Sequence, residues 1–130
     1  MPVNERWARH KIAVQKIAEE KRGVVFNSAP FDVIDNDRVF YEVKSPSDRK
    51  GKHKGECRLS ISEDEIKFGQ LFKERFIFVI IFNENKYVVP FIELEKRILR
   101  NRSNRHLFGN VIRVGRQITL GKKFLQKYIE

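Results

Sequence analysis

Apolar positions fall into blocks whose spacing switches between a helical period and a strand period along the chain. Residues 3–22 carry Trp7, Ala8, Ile12, Ala13, Val14, Ile17 and Ala18 among polar residues, with no Gly or Pro. That predicts a helix closed by Gly23, with Trp7 in the core rather than serving as a base-stacking platform. "VVFNS" (24–28), "FDVID" (31–35) and "RVFYEVK" (38–44) are short runs rich in β-branched and aromatic residues. With Asp35-Asn36-Asp37 as a turn, they predict three strands, the last two forming a hairpin. Residues 45–57 are dense in Gly, Ser, Pro and Lys and predict a mobile loop. Ser62-Glu63-Asp64-Glu65 has the form of a capping box and opens a helix that runs to about Glu74. "RFIFVIIF" (75–82) is nearly all apolar, which suits a strand covered on both faces. A turn at Asn83–Lys86 leads to the strand "YVVPFIEL" (87–94), where Pro90 lacks an N–H and points to a sheet edge or a bulge. Beyond it the pattern predicts a helix from about Glu93 to Asn101, a polar break, a short strand near 111–114 and a final helix near 120–128.

This order predicts an α/β fold with a mixed central sheet flanked by helices, in one domain of 130 residues. Residues 1–95 form the core and residues 96–130 an extension packed on the same domain. Charge sharpens that division. Of the net +10, residues 96–130 hold +9, from ten Lys and Arg against the single acid Glu130. A near-neutral body with a basic C-terminal third suggests chemistry in the first and a grip on a polyanion in the second. The plainer reading of the tail is a solvated face. The lone Cys57 has no disulfide partner and no Cys or His at zinc-ligand spacing, so it reads as a small core residue in a reducing compartment. No apolar stretch is long enough to span a membrane, and the polar N-terminus does not read as a signal peptide. A cytoplasmic or nucleoid-associated protein is expected, not a secreted one.

Asp32 and Glu42 stand on the two arms of the predicted hairpin, and Lys44, two residues past Glu42, shares its face of the strand. Phosphodiester hydrolysis needs a nucleophilic water, neutralised phosphate charge and help for the leaving oxygen. Mg²⁺ held by carboxylates supplies these, and Mn²⁺ can substitute. A lysine beside the site can act on the attacking water and offset charge in the transition state. The alternative is a solvated hairpin with an ordinary Glu–Lys pair. Against it stands the company of Val33, Ile34, Val39, Phe40, Tyr41 and Val43, which leaves little of the hairpin polar.

"PFDVIDNDRVFYEVKS" resembles the signature of the PD-(D/E)xK phosphodiesterase superfamily, with Pro30 and Asp32 for its Pro-Asp pair, Phe31 between them, and Glu42-Val43-Lys44 for its acid-x-lysine triplet. The order helix, three strands, helix, two strands over residues 3–95 is similar to archaeal-type Holliday junction resolvases. The resemblance implies a restriction-endonuclease-like core. It implies a metal-dependent DNA endonuclease, structure-selective or restriction-type, with Asp32, Glu42 and the Val43 carbonyl holding the metal and Lys44 on the attacking water. It also implies an acid on the first helix: Glu5 is favoured, and Glu19 is the alternative on the same stripe. A homodimer is implied too, because one small chain needs a partner to span a duplex, and "RFIFVIIF" or "VVPFIEL" could contribute to its interface. DNA contacts are expected from Arg49, Lys50, Lys52 and Lys54 in the loop and from Arg100, Arg102 and Arg105 in the tail, with no small-molecule cofactor. Ser28 reads as a turn residue, and Lys67 and Gln70 as weak candidates on the second helix. His10, His53 and His106 show no metal spacing. The competing function is a non-catalytic DNA- or RNA-binding protein of similar fold; metal-dependent cleavage discriminates between the two.

Overall fold

The computed structural model describes the backbone of residues 2–48, 51–100, 104–108 and 111–130, and the side chains of 5, 7–48, 51–52, 54–98 and 116–130. Helix α1 (Pro2–Lys21) stops where Arg22 turns to a φ of 53° and the Gly23 amide donates back to the Ala18 carbonyl at 2.8 Å. A Cβ at Gly23 would stand 2.6 Å from the Ile34 carbonyl oxygen, so this close approach of helix end to strand requires glycine. Strands β1 (Val24–Val25), β2 (Val33–Ile34) and β3 (Phe40–Lys44) form an antiparallel meander. β1 and β2 are only two residues each, shorter than the runs that predicted them. Phe26 to Phe31 instead bends, with Ser28 exposed at a φ of 65°.

The central sheet has the order β1-β2-β3-β5-β6. β5 (Phe76–Phe82) lies parallel to β3, and β6 (Asn85–Pro90) lies antiparallel to β5. The parallel pair requires a crossover, supplied by β4 (Cys57–Ser62) and α2 (Glu63–Phe72). Alternation then assigns the two faces. Val33, Tyr41, Val43 and Val79 pack under Val14, Ile17 and Ala18 of α1. Phe76, Phe78, Ile80 and Phe82 face the larger core, with Ile66 of α2 and Leu94 and Ile98 of α3 (Phe91–Arg100). The structure is thus mixed α/β with a mixed central sheet flanked by helices.

β4 was not anticipated, although "CRLSIS" alternates strictly between buried and exposed. It pairs with β8 (Val111–Leu120), which pairs with β7 (Asn104–Phe108), giving a second antiparallel sheet. Cys57, Leu59 and Ile61 of β4, Ile118 and Leu120 of β8, and Phe124 and Leu125 of α4 (Lys122–Gln126) all enter the larger core. The basic C-terminal third therefore supplies core as well as charge. Within the expected loop, residues 51–53 make one 3₁₀ turn, and the Gly55 amide donates to Asp48 Oδ1 at 2.8 Å.

Three further expectations are corrected. Trp7 is 65% exposed, because the buried stripe of α1 is Val14, Ile17 and Ala18. "RFIFVIIF" lies between β3 and β6 with both faces covered, so it offers no interface. "VVPFIEL" divides at Pro90 into strand and helix, and the outer edge of β6 is occupied by the C-terminus. There Val88 N–H donates to the Tyr128 carbonyl, and Glu130 N–H to the Lys86 carbonyl, both at 2.9 Å. Lys86 adds ion pairs to Glu20 at 2.6 Å and Glu130 at 3.4 Å. A covered edge is protected from pairing with another chain.

Candidate active site

On β3 the residues Phe40, Glu42 and Lys44 turn away from α1 and toward α2. Phe40 joins a run of rings with Phe31, Phe68 and Phe72, at centroid distances of 4.7–4.9 Å from Phe40. These rings hold Phe31, the neighbour of Asp32, in place. Asp32 lies one residue before β2; its amide donates to the Tyr41 carbonyl at 2.8 Å, and its Oδ2 accepts from the Val43 N–H at 2.8 Å. Val43 points its side chain into the α1 core, so only its backbone can take part in the cluster.

A third carboxylate arrives from α2. Ser62 caps this helix, its Oγ accepting from Glu65 N–H at 3.1 Å while Glu65 Oε1 accepts from Ser62 N–H at 2.8 Å. The capping box predicted from the sequence forms, and the same Glu65 carboxylate reaches Lys44 Nζ at 2.9 Å and 3.0 Å. Glu42 Oε2 lies 3.4 Å from that ammonium. Lys44 therefore sits between two glutamates, with the Phe78 ring 5.9 Å away. Glu65 is 6% exposed.

Charge does not balance there. Burial pushes the Glu42 carboxyl far above the ordinary glutamate range, and its hydrogen bond and charge contact with Glu65 push it further; the Lys44 charge opposes them and Asp32 adds a smaller push. Burial acts on Glu65 in the same direction, but hydrogen bonds from Glu42, Lys44 and the Ser62 amide, with the Lys44 charge, outweigh it and hold Glu65 ionised. Burial likewise draws Lys44 down and is overcome by Glu65 and Glu42, so Lys44 stays charged. The result is a proton held between two glutamates, beside one ammonium and the Asp32 carboxylate.

Of the expected site residues, Asp32, Glu42, Val43 and Lys44 meet here. Glu5 does not: it is exposed in the first turn of α1, the helix that covers the opposite face of β3. Glu19 is also exposed on α1. On α2 it is Glu65 that enters the site, while Lys67 and Gln70 face outward. The signal for Glu65 was its place on the inward stripe with Ile66 and Gly69, at i, i+1 and i+4. Lys52 and Lys54 are exposed beside the 3₁₀ turn. Arg49, Lys50 and Arg102 lie outside the described residues, as do the side chains of Arg100 and Arg105.

Among the described residues, no three His, Cys, Asp or Glu side chains are arranged to hold a metal ion together. Mg²⁺, however, commonly takes only one or two carboxylates from a protein and fills its remaining positions with water and phosphate oxygen. Asp32 and Glu42 are a donor set of that kind, and a divalent cation would neutralise the same crowding that makes Glu42 hold a proton. Comparison with protein-family models, curated proteins and solved structures finds no match to this chain.

Proposed function

We propose that this protein is a Mg²⁺-dependent endodeoxyribonuclease with a restriction-endonuclease-like core, acting on DNA as a homodimer. One observation carries the reading: Asp32, Glu42 and Lys44 meet Glu65 at one buried point in an otherwise apolar hairpin, at a cost in desolvation that structure alone does not require. Asp32 and Glu42, with the Val43 carbonyl, are the residues to hold the metal. When bound, Mg²⁺ would lower the pKa of a water and neutralise phosphate charge. Lys44, kept charged by Glu65, acts as a donor to the phosphate and to the attacking water rather than as a base. Glu65 positions Lys44 and stays ionised, while the proton that Glu42 must release to become a ligand leaves to solvent.

The competing reading, a non-catalytic nucleic-acid-binding protein, draws on Lys44 being engaged by both glutamates already. It gives binding without cleavage. The test is incubation with branched, duplex and single-stranded DNA in Mg²⁺, for the wild type, Asp32→Ala and Glu42→Ala. Mg²⁺-dependent cuts lost in both variants, with binding in Ca²⁺ retained, support the nuclease. Cleavage that persists in excess chelator, or no cleavage of any of the three DNAs, overturns it.

A further inference from the structure

A cleft of about 280 Å³ opens directly beside Lys44. One wall is the segment that leaves β3, with Ser45, Pro46 and Ser47; the other is the outward side of β4, with Arg58 and Ser60. We propose that this cleft is a subsite for the DNA backbone, taking a phosphate next to the one that reacts at Lys44, with Arg58 as its anion-binding residue. The inference rests on the nuclease reading above for the position of the reacting phosphate.

Four features support it. The lining is suited to an anion: a guanidinium and the three hydroxyls of Ser45, Ser47 and Ser60, with no carboxylate among the lining residues. A planar guanidinium matches two phosphate oxygens at once, and serine hydroxyls donate to a third. Arg58 is exposed, and among the described residues no carboxylate stands within ion-pair distance of it, so no partner must be displaced. Its position is fixed: the register Arg58↔Thr119 and Ser60↔Gln117 places it on a paired strand, with Gln117 Nε2 at 3.5 Å from Ser60 Oγ. A phosphate contact on a rigid strand orients a substrate better than one on a loop. Finally, Lys44 lines the cleft at one end and enters the carboxylate cluster at the other. A strand with one phosphate at Lys44 thus has a continuous polar path into the cleft.

The experiment compares wild type, Arg58→Ala, Arg58→Lys and Ser60→Ala, each confirmed folded by its melting transition. Binding of a fluorescent DNA duplex is titrated with salt in Ca²⁺, and cleavage is measured in Mg²⁺. Arg58→Ala should weaken binding about tenfold, the scale of one charge-assisted hydrogen-bond contact. It should flatten the log–log salt slope by about 0.9, the share of one phosphate, and do so equally on unrelated sequences. KM should rise while kcat stays within about twofold, since uniform binding is what is lost. Arg58→Lys should recover part of the affinity, and Ser60→Ala should show a smaller loss. Wild-type binding and cleavage in Arg58→Ala would overturn the subsite and leave the nuclease standing; so would a fall in kcat at constant KM. Arg58-dependent binding without cleavage by the wild type would overturn the nuclease, and with it the placement beside a reacting phosphate, and would leave Arg58 as a backbone contact of a binding protein. No binding by the wild type would overturn both.

Discussion

At the scale of single residues, Glu42 and Glu65 show which part of a site a sequence discloses. Asp32, Glu42 and Lys44 were legible because charge in an apolar hairpin needs a reason. Glu65 was not, because helix capping already explained it: its Oε1 serves Ser62 N–H and Lys44 Nζ together. The shared proton gives a pH dependence with a definite sign. The folded state raises Glu42 above its ordinary 4.5. From that value up through neutral and into alkaline pH, the native chain holds a proton that the unfolded chain lacks. Stability from this group is therefore full below 4.5 and falls as pH rises, by at most about 1.4 kcal/mol per pH unit. Glu65 has the opposite sign; its depressed carboxyl contributes above the ordinary glutamate range and is lost in acid. Glu42→Gln keeps an uncharged hydrogen-bonding side chain but cannot ionise. In chelator its melting temperature should exceed that of the wild type at pH 9 and approach it at pH 5, while metal-dependent cleavage is lost. Parallel curves across that range would contradict the shared proton. Lys44→Ala should lower turnover by about two orders of magnitude, the scale of one lost stabilising group; a wild-type rate would reduce Lys44 to a structural counterion.

Among the elements, periodicity read α1, β3, α2 and β5 well because each has one dominant pattern. It failed where contacts across the chain decide. β4 is short, follows a polar loop and exists because β8 pairs with it, which no local signal announces. The strand-to-helix boundary at Pro90 is hidden in the pattern because "FIEL" continues the apolar run before it, yet the chain past Pro90 turns to bury Phe91 against the rings of Phe76 and Phe78. That ring also meets α2 at Gly69, where a Cβ would lie 2.5 Å from three atoms of Phe91. Helix propensity alone would favour alanine at this position by about 1 kcal/mol. Packing decides otherwise, since Phe91 is fully buried and its ring cannot yield without displacing its neighbours. Gly69→Ala should destabilise the fold by about 1–3 kcal/mol, as overpacked sites do. Urea denaturation reads this directly; a midpoint equal to or above the wild type would show that α2 and α3 can separate freely.

Across the whole molecule, the uneven charge of the sequence takes a different form once folded. The tail is no detached arm: β8 and α4 insert Ile118, Leu120, Phe124 and Leu125 into the core, while Gln117, Thr119, Lys122, Lys123 and Lys127 are exposed. Arg97 is drawn onto the Phe124 ring, with its guanidinium carbon 4.2 Å from the centroid. Folding also brings the two basic segments together. β4 begins at Cys57 opposite Leu120, which sets the loop before β4 against the start of α4. A Cβ on Gly55 would stand 3.7 Å from Lys122 Cε. Lys52 and Lys54 belong to the loop that meets Lys122 at Gly55, and all three lysines are exposed. An edge fed by two segments distant in sequence gives a wider footprint than either alone, and on duplex DNA each phosphate it neutralises contributes about −0.9 to the slope of log affinity against log salt. Replacing Lys52, Lys54 and Lys122 together by Ala should flatten that slope by up to about 2.7 and weaken binding similarly on unrelated sequences. Melting temperature should barely move, because exposed lysines contribute little to stability. Anisotropy titrations in Ca²⁺ at a series of salt concentrations make the measurement. An unchanged slope would move the footprint away from this edge, toward the arginines at 100–105.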